Sequence, residues 1–430
     1  MSDVKSGTAA AQGALVDELV PALVFGFDWA HRKVESVVLL EGDRARRRVS
    51  MDVTVPSLPW GPEAQEPPQV LVPLGTFAKD DMRQFDATDE TGGSVPVLTA
   101  TDNANLATAF LIALIEAETE TEIAEVAKDE IRLCVESELP TSLHVAQGLV
   151  RRLGLDDTFS QEFLERLAAE FILFALLPAE MTGRRTVVKF SYHWTVRRPM
   201  RVRDRLRDVG QRVMAGLGLR SYQLEIELGR PDSAMSLHLE VQAPAGLHCT
   251  GLTLFDEAGV PVARDSTNGM VSHTHASTYD APVRGTVRFD PDLEGIHRVV
   301  TWSAWGVAVL LLATRWRLNL VALDPGTPVS LLLFGPALLL TWLVRSGENW
   351  IVSEVVGPLR AIALVLAGSL FAVAFGLSVG FDAPPFASRW GELADIGWKT
   401  AIGVSVVAGT LLAIGRVRLR ARMTKEDDHG

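Results

Sequence analysis

Four runs in the last third of the chain carry no ionisable side chain: Val299 to Thr314, Thr327 to Val344, Ala361 to Phe381 and Thr400 to Ile414. A helix crosses a bilayer core of roughly 30 Å with about 20 apolar residues, and the usual range is about 17 to 25. The first and last runs fall short of that range. They are bracketed by Arg298 and Arg315 and by Lys399 and Arg416, whose long stems carry charge to the headgroups and lengthen the span. The pattern predicts an all-α block of four transmembrane helices over 299–415 (299–314, 327–344, 361–381 and 400–414). Trp302, Trp305, Trp316, Trp342, Trp350, Trp390 and Trp398 lie in or beside the runs, several where an interfacial belt falls.

Before this block the period changes twice. Val49, Met51, Val53 and Val55 alternate with Ser50, Asp52 and Thr54, the period of a half-buried strand. A proline-rich connection follows. Gln69 to Leu74 and Met82 to Thr88 read as strands, the second joined through 89–93 to Val95–Leu98 as a hairpin. Helical spacing then takes over. One helix is capped by Thr101 or Asp102, a second runs from about Glu122 to Glu138, and a third runs from Ser142 to Leu153 before Gly154. The fourth opens at Thr158, with Gln161 as a capping-box partner, and its face of Phe163, Leu167, Phe171 and Phe174 continues to Pro178. After a flexible lead-in over 1–20, residues 21–182 therefore read as an α+β domain, with the helices of 102–177 covering one face of the earlier sheet.

From Gly183 the alternation is clearest, with Val188, Phe190, Tyr192, Trp194 and Val196 on one side of a strand. It recurs near Tyr222, Leu237, Leu252 and Val287, which predicts an immunoglobulin-like antiparallel β-sandwich over 183–298. A helix over 201–217 is inserted between its first two strands. Val202, Leu206, Val209, Val213 and Leu217 form one face, and Arg201, Arg203, Arg205, Arg207 and Arg212 surround it. Two readings stay open for this helix. It lies on anionic headgroups, or it covers the sandwich with a solvated basic face.

The last two runs carry small residues at four-residue spacing. These are Gly368, Ala372, Gly376 and Gly380, then Ala401, Ser405, Gly409 and Ala413. Such ladders allow close helix approach in lipid, so these helices are expected to pack on each other or on a second copy of the chain. The alternative is the general abundance of Gly and Ala in membrane segments. No charge lies at membrane depth, which favours an anchor or signalling platform over a pump; a neutral pore remains open.

Charge refines the picture. Residues 1 to 298 hold 30 Lys and Arg against 44 Asp and Glu, whereas 299 to 430 hold 11 against 9. An acidic soluble part argues against general nucleic-acid binding. Arg416, Arg418, Arg420, Arg422 and Lys425 follow the last run as a basic, then acidic, tail over 416–430. Retention of such residues on the inside predicts a multi-pass inner-membrane protein with both termini cytoplasmic. Arg315 and Arg317 oppose that orientation. The first residues lack the layout of a signal peptide, and two cysteines are too few for a disulfide framework.

Chemistry is sparse. No phosphate loop, dinucleotide fingerprint, zincin helix, kinase set or nucleophile elbow occurs. His273 and His275 sit two apart, with His248 and Cys249 as further ligand types. Metal sites need three or four converging ligands, and these read as surface or turn histidines. Acidic pairs such as Asp156 and Asp157, and the run from Glu116 to Glu125, read as caps and solvated faces. The sequence therefore names no catalytic residue, cofactor or metal. It predicts a non-enzymatic membrane-anchored interaction, sensing or scaffold module. The expected partners are the bilayer, an unknown protein or small molecule, and a second copy through the transmembrane helices. The alternative is a channel or membrane-perturbing effector gated by the soluble domains.

The segments LHLEVQAPAG from Leu237 to Gly246 and FDATDETGGSVPVLT from Phe85 to Thr99, with the terminal cluster of spans, resemble uncharacterised actinobacterial multi-pass membrane proteins that have a cytoplasmic N-terminal region. The resemblance implies architecture only, and no activity or site residue comes with it.

Overall fold

The alternating stretches pair with partners far along the chain. The computed structural model describes residues 29–40, 44–60, 68–79, 82–155, 158–195, 202–228, 234–256, 258–264, 266–267, 269–277, 284–320, 350–380 and 387–427. The early strands are β1 (Ala30–Leu39), β2 (Arg44–Thr54), β3 (Pro59–Trp60), β4 (Gln69–Ala78) and β5 (Arg83–Thr88). Four helices follow, α1 (Ala100–Thr119), α2 (Glu125–Glu136), α3 (Thr141–Leu153) and α4 (Phe159–Ala169), then β6 (Glu170–Pro178) and β7 (Arg185–Thr195).

The helix starts and stops have local causes. The Thr99 hydroxyl, one turn ahead of the expected cap, accepts from the Asp102 amide at 3.2 Å. Thr158 accepts from the Gln161 amide at 3.1 Å. Gly154 ends α3 at a φ of +65°. The Glu118 carboxylate accepts from the amides of Phe159 and Ser160, so one of the acids in the Glu116 to Glu125 run caps α4. The last helix is shorter than predicted. Phe171 and Phe174 belong to strand β6, which pairs with β4 from Gln69↔Pro178 to Ala78↔Glu170. Its central residues are buried on both faces, under the helices and against the other strands, so the run is continuously apolar and helical spacing is satisfied by coincidence.

The remaining soluble elements are α5 (Val202–Gly216), β8 (Tyr222–Glu227), β9 (Ser236–Gln242), β10 (Leu247–Phe255), β11 (Pro261–Arg264), β12 (Ser266–Thr267), β13 (Val271–Ser277) and β14 (Arg284–Pro291). One seven-stranded sheet has the order β12-β13-β9-β1-β2-β7-β5. A four-stranded sheet has the order β11-β10-β14-β8, and a three-stranded sheet β3-β4-β6. All pairings are antiparallel except β1 with β9, which run parallel from Lys33↔Leu237 to Val38↔Gln242.

That parallel pair departs from a wholly antiparallel immunoglobulin-like layout. Strand β7, expected to open a separate sandwich, lies between β2 and β5. The expected division at residues 182 and 183 therefore runs through one sheet. Val37, Leu239 and Val241 from this sheet share a core with Leu252, Leu254, Val287 and Phe289 from the four-stranded one. A second core joins α1–α4 to the three-stranded sheet through Phe110, Leu164 and Phe174.

Among the described residues, three long apolar helices follow the sheets: α6 (Ile296–Leu320), α7 (Trp350–Gly380) and α8 (Ala387–Asp427). Each contains a stretch long and apolar enough to cross a membrane. The predicted second span, 327–344, lies outside the described residues. Helices α6 and α8 are antiparallel. At the end remote from the sheets, Trp398 Nε1 donates to the Leu311 carbonyl at 3.0 Å and Arg315 pairs with Asp395 at 2.5 Å. Arg315, one of the two residues at odds with the predicted orientation, is thus paired with an acid. Helix α8 has 41 residues, about 60 Å at 1.5 Å each, roughly twice a bilayer core. Residues 416–427, part of the expected basic and then acidic tail, are the last turns of this helix, and Arg422 among them reaches Asp290 of β14.

Candidate functional site at the base of the apolar helices

The segment from Gly216 to Tyr222 touches helices α7 and α8 where each meets the soluble part. Helix α5 ends here, as the Gly216-Leu217-Gly218 sequence suggests. Gly218 has a φ of +73°, and the Leu219 and Arg220 amides both donate to the Met214 carbonyl. Close approach also requires glycine. A Cβ on Gly216 would lie 2.6 Å from the Val355 carbonyl oxygen of α7, and one on Gly218 would lie 2.6 Å from the Leu419 side chain of α8.

Two part-buried polar latches fix the helices to this segment. In the first, Glu354 of α7, 10% exposed at its side chain, accepts from the Tyr222 hydroxyl at 3.1 Å and pairs with Arg212 of α5 at 3.2 Å. In the second, Arg422 of α8 donates through Nη1 to both oxygens of Asp290 at 3.0 and 3.1 Å and to Ser221 Oγ at 2.8 Å. Its Nη2 donates to the Gly218 carbonyl at 2.6 Å. Asp290 sits on β14 and is fully buried. Burial raises its pKa by more than Arg422, Ser221 and Thr250 lower it. Charge-assisted hydrogen bonds of this kind are stronger than those between neutral groups.

The sequence-predicted residues are distributed as follows. Arg201 lies outside the described residues, as do the side chains of Arg203, Arg205 and Arg207. Arg212, expected at a membrane surface, is turned to Glu354. Of the ladder of α7, the two described positions do not pack on α8. Gly368 and Ala372 are exposed, a Cβ on Gly368 would meet nothing within 4 Å, and the side-chain positions of Gly376 and Gly380 are outside the described set. The inward face of α7 is instead Ala363, Leu366, Leu370 and Ala374. The ladder of α8 does pack, but on α6. Ala401, Ser405 and Gly409 are buried, Ala413 partly so, and a Cβ on Gly409 would lie 3.0 Å from the Trp305 ring.

A second cluster lies on the outer face of the seven-stranded sheet. His275 pairs directly with His238 across β13 and β9, and the rings are 4.5 Å apart; His273 is 5.6 Å from His238. Spacing picks out the first and third of these, but His238 joins them only through strand register. His248 instead faces Asp292 at 3.3 Å, and Cys249 is buried in the core. Among the described residues, no three His, Cys, Asp or Glu side chains are set to hold a metal. Desolvation, then Arg32, His275 and His273, lower the His238 pKa to about 4. The sign follows directly. The unfolded chain takes the proton near pH 6.5 and the folded one near 4, so this stabilisation is complete above pH 6.5 and is lost as pH falls towards 4. Replacing His238→Phe is expected to flatten the pH dependence of the thermal midpoint in that window. An unchanged slope would assign it to other groups.

No protein-family model matches the chain, and no curated protein matches it.

Proposed function

We propose that the chain is a non-enzymatic multi-pass inner-membrane module whose soluble part recognises a protein or small molecule and passes its occupancy to the helices through Gly216 to Tyr222. The observation that carries this reading is the pair of part-buried latches, Glu354 with Tyr222 and Arg212, and Arg422 with Asp290 and Ser221. A simple anchor needs no such coupling, because a flexible linker tethers equally well. The outer faces of the soluble sheets, expected from the sequence as an immunoglobulin-like sandwich, are the proposed recognition surface. That assignment is by analogy of fold.

Four spans with both termini cytoplasmic are part of the same proposal. Helix α6 leads away from the soluble part and the start of α7 packs beside it, Val352 against Gly246, so a second crossing between the two helices is proposed. The uncharged run Thr327 to Val344 suits that crossing. Accessibility of single cysteines to an impermeant thiol reagent tests it. Labels at the two termini are expected to react only after the inner face is opened, and one at Ser388 to react from outside. Termini on opposite faces would overturn the four-span reading.

The latches also favour a second reading, a channel or membrane-perturbing effector, since they would pull directly on α7 and α8. Ion flux from liposomes holding the full chain separates the two. Flux supports the channel, whereas a partner captured by the full chain without flux supports the platform. A second copy of the chain is a further proposed partner, with the outward Gly368 and Ala372 as the face to test by cysteine cross-linking.

A further inference from the structure

Helix α5 stands at the level where the apolar helices begin. Gly216 touches Val355 and Pro358 of α7, one turn before the uncharged run that starts at Ala361. The Leu217 carbonyl lies against Gly415 of α8, the residue that follows the uncharged run ending at Ile414. Two independent helices therefore set the C-terminal end of α5 at one boundary of the membrane-facing surface. This inference rests on the membrane reading proposed above.

The exposed side of α5 at that level is apolar. Val209 is 51% exposed, Val213 41% and Met214 42%, while Ala215 and Arg212 turn inward to the junction. Among the described residues these three large apolar side chains form one exposed patch on a short helix, the kind of surface that marks a contact. Arg203, Arg205 and Arg207 precede them in the same helix, opposed in sequence by Asp204 and Asp208. Apolar residues next to a basic stretch, continuous with the lipid-facing surface, are the composition of an interfacial helix.

We propose that α5 lies in the headgroup layer and binds anionic phospholipid, with Val209, Val213 and Met214 entering the acyl boundary and the basic sequence before them supplying the charge attraction. Through Arg212 and Glu354 the same helix is joined to α7, so lipid engagement bears on the junction. The occupant is the bilayer that already holds α6 to α8, and a soluble protein partner is the competing outcome.

The test uses the full chain in nanodiscs of phosphatidylcholine with or without phosphatidylglycerol, with a brominated lipid as quencher. Cys134 and Cys249 are buried, so a fluorophore goes selectively to Val213→Cys, to Trp302→Cys on α6, or to Val126→Cys on α2, whose core is separate from that of the apolar helices. The label at 213 is expected to be quenched as strongly as that at 302 and at least about twofold more than that at 126 in anionic discs. Changing Arg203, Arg205 and Arg207 together to Gln is expected to lower quenching at 213 about twofold or more, leaving 302 unaffected. Quenching at 302 with none at 213 would overturn the lipid assignment for α5 alone, as would protection of 213 by a soluble protein. Absence of quenching at 302 as well would overturn the membrane reading on which the assignment rests.

Discussion

Arg422→Met is expected to destabilise the protein by about 3 to 5 kcal/mol at neutral pH, the range for removing one partner of a buried ion pair. The size follows from an asymmetry in burial. Asp290 is fully buried, whereas the Arg422 side chain is 28% exposed. Loss of Arg422 leaves a carboxylate without its counter-charge in a place water does not reach. Asp290→Asn is expected to cost less, because the amide still accepts from Ser221 while the exposed part of Arg422 turns to solvent. Thermal unfolding of the full chain in detergent, followed by tryptophan fluorescence, ranks the two.

Acid should rescue the first variant. Burial already raises the Asp290 pKa, and removing Arg422 raises it further, so lowering pH protonates the buried carboxyl and removes its unpaired charge. The defect of Arg422→Met is therefore expected to shrink between pH 7 and 5. A defect that is the same at both values, or smaller than that of Asp290→Asn, would mean that Asp290 has another buried counter-charge.

Glu35→Leu carries a comparable penalty for the opposite reason. Glu35 and Lys33 are both buried on the inward side of β1, and Lys33 Nζ lies 2.7 Å from Glu35. Arg47 of β2 reaches the other carboxylate oxygen at 3.6 Å, with its guanidinium 4.9 Å from the centre of the Trp194 ring. Two cations thus share one buried anion, and removing the anion is expected to cost about 3 to 5 kcal/mol.

The pH dependence has the opposite sign to that of Asp290. Burial alone would raise the Glu35 pKa, but Lys33 and then Arg47 outweigh it and hold the carboxyl below its ordinary value of 4.5. Its contribution is complete above pH 4.5 and is lost as pH falls through the depressed folded value. Glu35→Gln is expected to lose that acid-sensitive component. A thermal midpoint for Glu35→Leu within a degree or two of the parent would sink the argument that this anion holds the two cations in place.

Much of the local structure is written in short stretches. Thr158 and Gly154 mark a helix start and a helix stop with their own side chain or backbone freedom. The alternation of Val188, Phe190 and Tyr192 marks β7, because one of its faces is buried and the other wet. The uncharged runs near Val299, Ala361 and Thr400 mark the three described apolar helices for the same kind of reason. Strand β6 was misleading because a segment buried on both faces loses the alternation that separates strand from helix.

The site is different in kind. Arg422 and Asp290 are 132 residues apart, as are Glu354 and Tyr222, and nothing in the spacing of either pair announces the other. The third histidine of the outer cluster, His238, is likewise supplied by register between β9 and β13.

Taken by itself, then, the chain determined which segments avoid water and where helices start and stop, since those follow from side chains within a few residues of each other. Only the tertiary structure decided that one sheet runs through both halves of the soluble part and that α5, α7 and α8 meet at Gly216 to Tyr222. Strand edges and buried charges are satisfied by whatever partner the fold brings to them, and that partner is not set by distance along the sequence.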